Sequence, residues 1–316
     1  MRYLIVLAVL CTTLGSAHAQ EKKVEMTTFQ LSDTIYMLRG RGGNVGISSG
    51  EDGLYIIDDQ LRPVTGQLLE TIRKISSKPI RFVINTHYHA DHTGGNEAIG
   101  KSGALIIAHD NIHQRMKTEQ VSNFMKNTTP PYNKAALPVV TFNDRVSLHF
   151  NGETATAYHV AHGHTDGDSI IHFPNSNVIH MGDMYFNGLY PYVDLDAGGS
   201  IQGMVEAAEL ALSLADDTTR IIPGHGPLAI TEDLTAYRDY LVEAIANVQT
   251  LINEGKSLEQ LIAAEPTAEW DDPLGKVWIT PAQFVTFIYS SLKGIHQYIP
   301  PAVAEATDDK DKEVQN

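Results

Sequence analysis

Cysteine is almost absent: the 316-residue chain has one, Cys11. It lies in a segment that reads as a leader, so the mature chain is expected to hold neither a thiol nor a disulfide. Rigidity must then come from packing or from bound metal. Positive charge is also scarce, with 23 lysines and arginines against 38 aspartates and glutamates and a formal charge of −15. That balance excludes nucleic acid as a partner, because phosphates need a basic face. It suits a freely diffusing protein. No Gly-x-Ser-x-Gly elbow occurs, so a serine nucleophile is not expected. The glycine-rich Gly40 to Gly46 lacks the Lys-Ser/Thr of a phosphate loop and reads as a flexible loop near a site mouth. After the leader no apolar run reaches the ~20 residues that span a bilayer. Neither a membrane nor a protein partner is indicated; a small-molecule substrate is.

What is present begins with an address. Arg2, the apolar run Leu4 to Leu10, and Ala17-His18-Ala19 form a charged start, a greasy core and an Ala-x-Ala cleavage site. Residues 1–19 are therefore read as a signal peptide cut before Gln20, which sends the protein to the periplasm or the medium. Residues 20–300 are expected to form one domain. The tail 301–316 is charged and expected to be disordered.

The chemistry is concentrated in one stretch. Ile80 to Ile84 reads as a buried strand. It runs into His87-Tyr88-His89-Ala90-Asp91-His92, closed by Gly94-Gly95. Four metal-capable side chains this close cannot all face one ion. On extended backbone His87 and His89 point the same way, because side chains alternate with period two. Asp91 and His92, at the bend, can turn toward a second centre. Imidazole and carboxylate without thiolate suit Zn²⁺, with iron or manganese as alternatives.

His-x-His-x-Asp-His is also the signature of the metallo-β-lactamase superfamily, which this sequence resembles. The resemblance implies an α/β (α+β) fold, a four-layer αββα sandwich of two mixed sheets with helices outside and a metal site at the sheet edges. The expected elements fit that count. Strands are expected at 29–38, 45–48, 54–57, 80–84 and 104–108. A helix at 64–75 makes a parallel crossover between the strands at 54–57 and 80–84. A second helix should run from Asp110 through Met125, followed by an irregular stretch, Asn127 to Val140, that is a candidate lid or pocket wall. Short strands at 146–150, 154–160, 169–173 and 177–181 read as an antiparallel meander. A helix at 201–214, a strand at 220–222 and helices at 234–251, 258–264 and 281–296 complete the domain.

A tetrahedral zinc at His87 and His89 needs another protein ligand and a water. Either His162 or His164, in Ala161-His162-Gly163-His164-Thr165, can supply it on residue type alone. The resemblance selects His164 by its Gly-His-Thr context. It likewise implies a bridging acid at Asp183 and a last histidine at His225, in Pro223-Gly224-His225-Gly226. Of the paired acids that end the strand at 54–57, it favours Asp58 over Asp59 as a partner that fixes an imidazole. The spacings are 75 residues from His89 to His164 (164 − 89), 19 to Asp183 (183 − 164) and 42 to His225 (225 − 183). They are closer to secreted β-lactam-hydrolysing members than to glyoxalase II. The remaining histidines are expected to be packed or surface residues, with His109 as a weaker partner to the site.

The expected activity is a metallo-hydrolase with two Zn²⁺ per chain. His87, His89 and His164 hold one ion, Asp91, His92 and His225 the other, and Asp183 bridges them. A shared hydroxide attacks an activated carbonyl and Asp91 takes a catalytic role. A β-lactam is the most concrete substrate, which would make the enzyme an antibiotic-resistance factor. Two departures point to an alternative, a lactone, ester or thioester hydrolase. Many β-lactam-hydrolysing relatives carry cysteine where Asp183 stands, and a lysine where Phe186 stands. Phe186, Tyr190, Pro191 and Tyr192 suggest an aromatic wall instead. A further alternative is an iron persulfide dioxygenase-like oxidoreductase.

Overall fold

The computed structural model describes residues 24–300, so the expectations for the leader and for the tail fall outside the described residues. The first sheet has seven strands. In chain order they are β1 (Thr27–Gln30), β2 (Ile35–Arg39), β3 (Val45–Gly50), β4 (Gly53–Ile57), β5 (Ile80–Ile84), β6 (Leu105–His109) and, after a small hairpin, β9 (Val140–Phe142). The hairpin is β7 (Gln120–Ser122) with β8 (Asn127–Thr129), which pairs with neither large sheet. The second sheet has six strands: β10 (Arg145–Phe150), β11 (Glu153–His159), β12 (Ser169–Phe173), β13 (Val178–Phe186), β14 (Arg220–His225) and β15 (Ala229–Ile230).

Strand alternation sorts the apolar side chains into layers. Tyr55, Ile57, Ile84 and Ile107 of the first sheet meet Ala157, Ile171, Phe173 and Ile222 of the second. This is the inter-sheet core, in which Tyr55 stacks on Phe173 with centroids 6.5 Å apart. Leu54, Ile56, Val83 and Ile106 point the opposite way, onto Leu68 and Ile72 of α1 (Thr65–Ile75) and Ile99 of α3 (Asn96–Lys101). Between those two helices lies the single turn α2 (Ala90–Thr93), and after β6 comes α4 (Asp110–Met116). On the outer face of the second sheet, Ile170, Ile179 and Ile221 pack against α5 (Ile201–Leu214), α6 (Thr231–Asn253) and α9 (Pro281–Leu292). The result is helices, sheet, sheet, helices, as the resemblance implied. The short α7 (Leu258–Ala263) and α8 (Ala268–Leu274) precede α9. Among the described residues no helix is long and apolar enough to cross a membrane.

Both sequence-level topology rules hold. β4 and β5 are parallel across the α1 crossover, and β10 to β13 form an antiparallel run. Several boundaries differ: the helix expected at 281–296 ends at Leu292 and the strand expected at 220–222 runs on to His225. The single strand expected at 29–38 is a hairpin of β1 and β2. The helix expected through Met125 stops at Met116, because Phe124 is drawn into an aromatic group with Tyr192, Phe287 and Tyr298 and β-branched Val121, Thr128 and Thr129 favour strand. β13 runs past Met181 to Phe186, with register shifts around Gly182, which carries a φ of 52°.

Two glycines in helices make opposite predictions. A Cβ on Gly66, exposed in α1, would meet nothing within 4 Å. Gly66→Ala is expected to stabilise by about 0.5–1 kcal/mol through helix propensity. A Cβ on Gly203 of α5 would lie 1.9 Å from the backbone oxygen of His162, on the loop that carries His164. Gly203→Ala is expected to destabilise by about 1–3 kcal/mol as an overpacked site. Urea midpoints at unchanged m-value check both.

Candidate metal centre

Strand ends deliver the cluster. β5 stops at Ile84, and His87 follows on irregular backbone. His89 caps α2, whose single turn carries Asp91 and His92. His164 lies on the loop between β11 and β12. Asp183 is in β13 and His225 ends the parallel neighbour β14, where it pairs in register with Phe186. Side chains distant in sequence thus meet at one edge of the sandwich.

The seven side chains fall into two groups. His87, His89, His164 and Asp183 make one and Asp91, His92 and His225 the other, while Asp58, His87 and His92 form a third that overlaps both; ligand atoms within each group lie within 4.8 Å of one another. Asp183 stands between the first two. Its Oδ2 is 3.8 Å from His87 Nε2, 3.7 Å from His164 Nε2 and 3.3 Å from His225 Nε2, while its Oδ1 is 3.0 Å from His92 Nε2. Asp91 Oδ2 lies 3.2 Å from His225 Nε2 and 3.6 Å from His92 Nε2. His162, the other candidate, turns away with a φ of 56° and bonds the Gly198 carbonyl.

The hydrogen bonds on the far side of each ring fix its tautomer. His164 Nδ1–H donates to the Tyr192 carbonyl at 2.8 Å. His89 Nε2–H donates to Asp194 Oδ2 at 2.8 Å. Each therefore turns a bare lone pair inward, and the two inward atoms, His164 Nε2 and His89 Nδ1, are 2.8 Å apart. Two lone pairs at that distance repel unless a cation or proton sits between them. His92 Nδ1–H donates to Asp58 Oδ2 at 2.7 Å, which bares His92 Nε2. The Thr86 hydroxyl donates to the same Asp58 oxygen at 2.7 Å, so it can only accept from His87 Nδ1–H at 3.1 Å. His87 Nε2 is buried with no hydrogen-bond partner, and His92 Nε2 and Asp183 Oδ1, 3.0 Å apart, have only each other. Buried polar atoms without partners call for an explanation, and a shared cation supplies one. The donor set fits a divalent metal such as zinc.

A match to the family described as the metallo-beta-lactamase superfamily spans residues 36–225. The chain belongs to that superfamily. An alkyl/aryl-sulfatase of Saccharomyces cerevisiae is 39% identical over 87 residues, covering 25% of this chain and 14% of the sulfatase. A hydroxyacylglutathione hydrolase of Shewanella halifaxensis is 25% identical over 226 residues, covering 69% of this chain and 76% of that protein. A metallo-beta-lactamase from Pontibacter korlensis superposes with a TM-score of 0.56 at 17% identity, covering 69% of this chain and 99% of that one. The chain spans 14% and 51% of the lengths of the first two curated relatives that it matches.

Within this superfamily fold, three supporting groups were not legible in the sequence. Asp194 accepts from His89 and from the Tyr88 hydroxyl, although it lies 105 residues from His89 and sits in no motif. The Tyr192 carbonyl and the Thr86 hydroxyl are the others. Asp58, favoured by the resemblance, holds His92 and Thr86, whereas Asp59 accepts from Gly95 N. Burial pushes the Asp59 carboxyl well above the usual range. His109 plays no part: it stacks on His159 at 3.6 Å and bonds Asn143. The Gly40–Gly46 loop is at the site as expected, but it is bonded down, by Gly43 N to the Asp91 carbonyl and by Gly42 N to Gln60.

A cavity of about 430 Å³ opens onto the cluster. His89, Asp91, Asp183 and His225 line its floor; Leu61, Tyr88, Val121, Met125, Tyr192 and Trp278 line its walls. Among the described residues no lysine or arginine lines it. Phe186 stacks on His225 at 5.4 Å, so it forms part of the aromatic support. Tyr190 does not belong to the wall, because it is buried against Phe284 at 4.2 Å. Asn127, Thr129 and Tyr132 line the cavity, which puts the expected wall stretch in place as an ordered hairpin edge rather than an irregular lid.

Charge in the metal-free cluster is uneven. Burial, with His92 next, holds His87 well below its ordinary value, and burial with His89 lowers His164 to about 4. Burial would lower His92 and His225 too. Asp183 and Asp91 outweigh it, keeping His92 well above the ordinary range and raising His225 to about 9. Asp194 likewise overcomes burial and raises His89. At pH 7 His92 and His225 hold protons that a cation must displace. Zinc uptake is therefore expected to release protons and to strengthen as pH rises toward about 9, where His225 loses its proton unaided. Titrations in buffers of different ionisation enthalpy read the proton count; affinity independent of pH between 6 and 9 would sink the assignment. Asp58→Asn and Asp194→Asn are each expected to lower zinc affinity about 10- to 100-fold, read by competition with a chelating dye.

Proposed function

We propose that this member of the superfamily is a dinuclear zinc hydrolase of uncharged, activated carbonyl compounds: lactones, esters or thioesters. His87, His89 and His164 would hold one ion, Asp91, His92 and His225 the other, and Asp183 both. Such a pair supplies Lewis acidity and lowers the pKa of a water toward ~7. The chain's own groups do the rest. Asp58 and Asp194 hold the ring tautomers, so no reorganisation is needed when charge develops. Asp91 lines the cavity floor, and its carboxylate is held at about 2 because His92 and then His225 outweigh burial. It is ionised at neutral pH and is the group placed to orient the attacking water or to pass a proton.

The observation that carries the substrate reading is a cavity with metal-competent side chains at its floor and, among the described residues, no cationic side chain in its lining. An anionic β-lactam would enter without a partner for its carboxylate. So would a sulfate ester of the kind named for the yeast relative. A missing charged hydrogen bond costs about 1.5–3 kcal/mol, which is about a 10- to 150-fold loss in kcat/KM. β-Lactam hydrolysis therefore has less support here than carbonyl substrates without charge.

Zinc-loaded protein assayed with phenyl acetate, a δ-lactone, an acyl thioester, penicillin, a cephalosporin and an alkyl sulfate tests this. At least one uncharged substrate is expected to exceed the anionic ones by about tenfold or more in kcat/KM. Faster turnover of penicillin or cephalosporin would restore the β-lactamase reading. One iron per chain by metal analysis would remove the dinuclear zinc hydrolase altogether.

A further inference from the structure

The hairpin of β7 and β8 exposes apolar side chains where exposure is otherwise unfavourable. Val121 is 58% exposed, Met125 49% and Trp278, facing them, 40%. All three line the cavity above Asp91 and His225. The hairpin is not loose. Phe124 stacks on Tyr192 at 4.8 Å and meets Tyr298 edge-on at 5.0 Å. Asn123 donates from its backbone N and its side-chain Nδ2 to the Asp196 carboxylate at 2.8 and 2.7 Å. So Phe124 and Asn123 pin the hairpin to the body, while Val121 and Met125 are held out toward water at the cavity mouth. Exposed apolar groups gathered at one place mark something that covers them. Their continuity with the floor of the metal centre identifies the occupant as part of the substrate.

We propose that Val121, Met125 and Trp278 form a subsite for a hydrocarbon arm, so that the enzyme selects esters, lactones or thioesters carrying an acyl chain of several carbons. This rests on the carbonyl reading above and narrows its substrate class. Gln120, Ser122, Asn127 and Thr129 also line the cavity, but Val121 and Met125 offer a polar or charged arm nothing in place of water, whereas an aliphatic arm gains with each carbon it brings out of water.

Two measurements on the zinc-loaded full chain test it. The first is kcat/KM for p-nitrophenyl acetate, butyrate, hexanoate and octanoate, with the parent and with V121S/M125S. The parent is expected to gain about fourfold per methylene until the cavity is filled, and the double variant to show a markedly flatter slope. Equal slopes in parent and variant overturn the subsite. The second is Trp278 fluorescence with 1-octanol, which is not hydrolysed, compared with the W278F variant. A saturable change in the parent that is lost in W278F supports the subsite; no change overturns it. Octanol binding without turnover of any ester supports the subsite and defeats the carbonyl-hydrolase reading, so the two failures are distinguishable. A concentration-dependent dimer abolished by V121S/M125S, with no octanol response, assigns the apolar patch to a second copy of the chain and overturns the proposal.

Discussion

Two imidazole lone pairs facing each other at 2.8 Å, from His89 and His164, are the constraint on which the rest of the site depends. Neutral rings do not hold that geometry by attraction. It is imposed from behind, by Asp194 on one ring and the Tyr192 carbonyl on the other. The protein spends its hydrogen bonds on the outer nitrogens and leaves the inner ones bare. Asp58 repeats the device on the other side, directly through His92 and through Thr86 to His87. A site prepared this way holds charge where a cation is absent, which is why His92 and His225 draw protons from their acidic neighbours. Metal binding would exchange those protons for ions and relieve the repulsion in one step.

The fold explains how such a cluster can be rigid without a disulfide. Asp183 belongs to β13, every residue of which is buried, and His225 to its parallel neighbour β14. Asp58 follows β4 with a φ of 62°, and its backbone N bonds to the Ile84 carbonyl. The carboxylates therefore hang from the centres of two sheets whose shared core is Tyr55, Ile57, Ile84, Phe173 and Ile222. Strand ends carry the chemistry and strand middles carry the stability. A substitution at Gly203, which is no ligand, reaches the site because its neighbours are the His162 carbonyl and Gly163 N, just before His164.

The local parts of this arrangement were legible in the sequence and the long-range parts were not. His87, His89, Asp91 and His92 announce themselves by density in six residues. Alternating strands and one crossover helix fit the sandwich that the resemblance implies. His164 could be separated from His162 only through the resemblance, since residue type and spacing treat them alike. Asp194 had no signal at all: its role arises because the turn after Tyr192 places it behind His89, 105 residues away. The stretch after Met116 departs from the helix expected there for a similar reason. Apolar residues at 121, 124 and 125 resemble a helical face, yet Phe124 is claimed by Tyr192, Phe287 and Tyr298, contacts across 68 to 174 residues that no local window contains.

Electrostatics on two scales argue for the same kind of substrate. The whole chain carries a formal charge of −15, so its field repels anions and gathers cations at long range. Close in, Asp58, Asp91, Asp183 and Asp194 surround the histidines, and among the described residues no lysine or arginine lines the cavity to reverse the sign. Two bound cations would be largely neutralised by these acids and would offer little net attraction to an anion. What remains for recognition is the apolar rim of Val121, Met125 and Trp278 and the polarising power of the ions over a few ångströms. A carbonyl compound without charge uses both; an anionic drug or sulfate ester uses one and is opposed by the field.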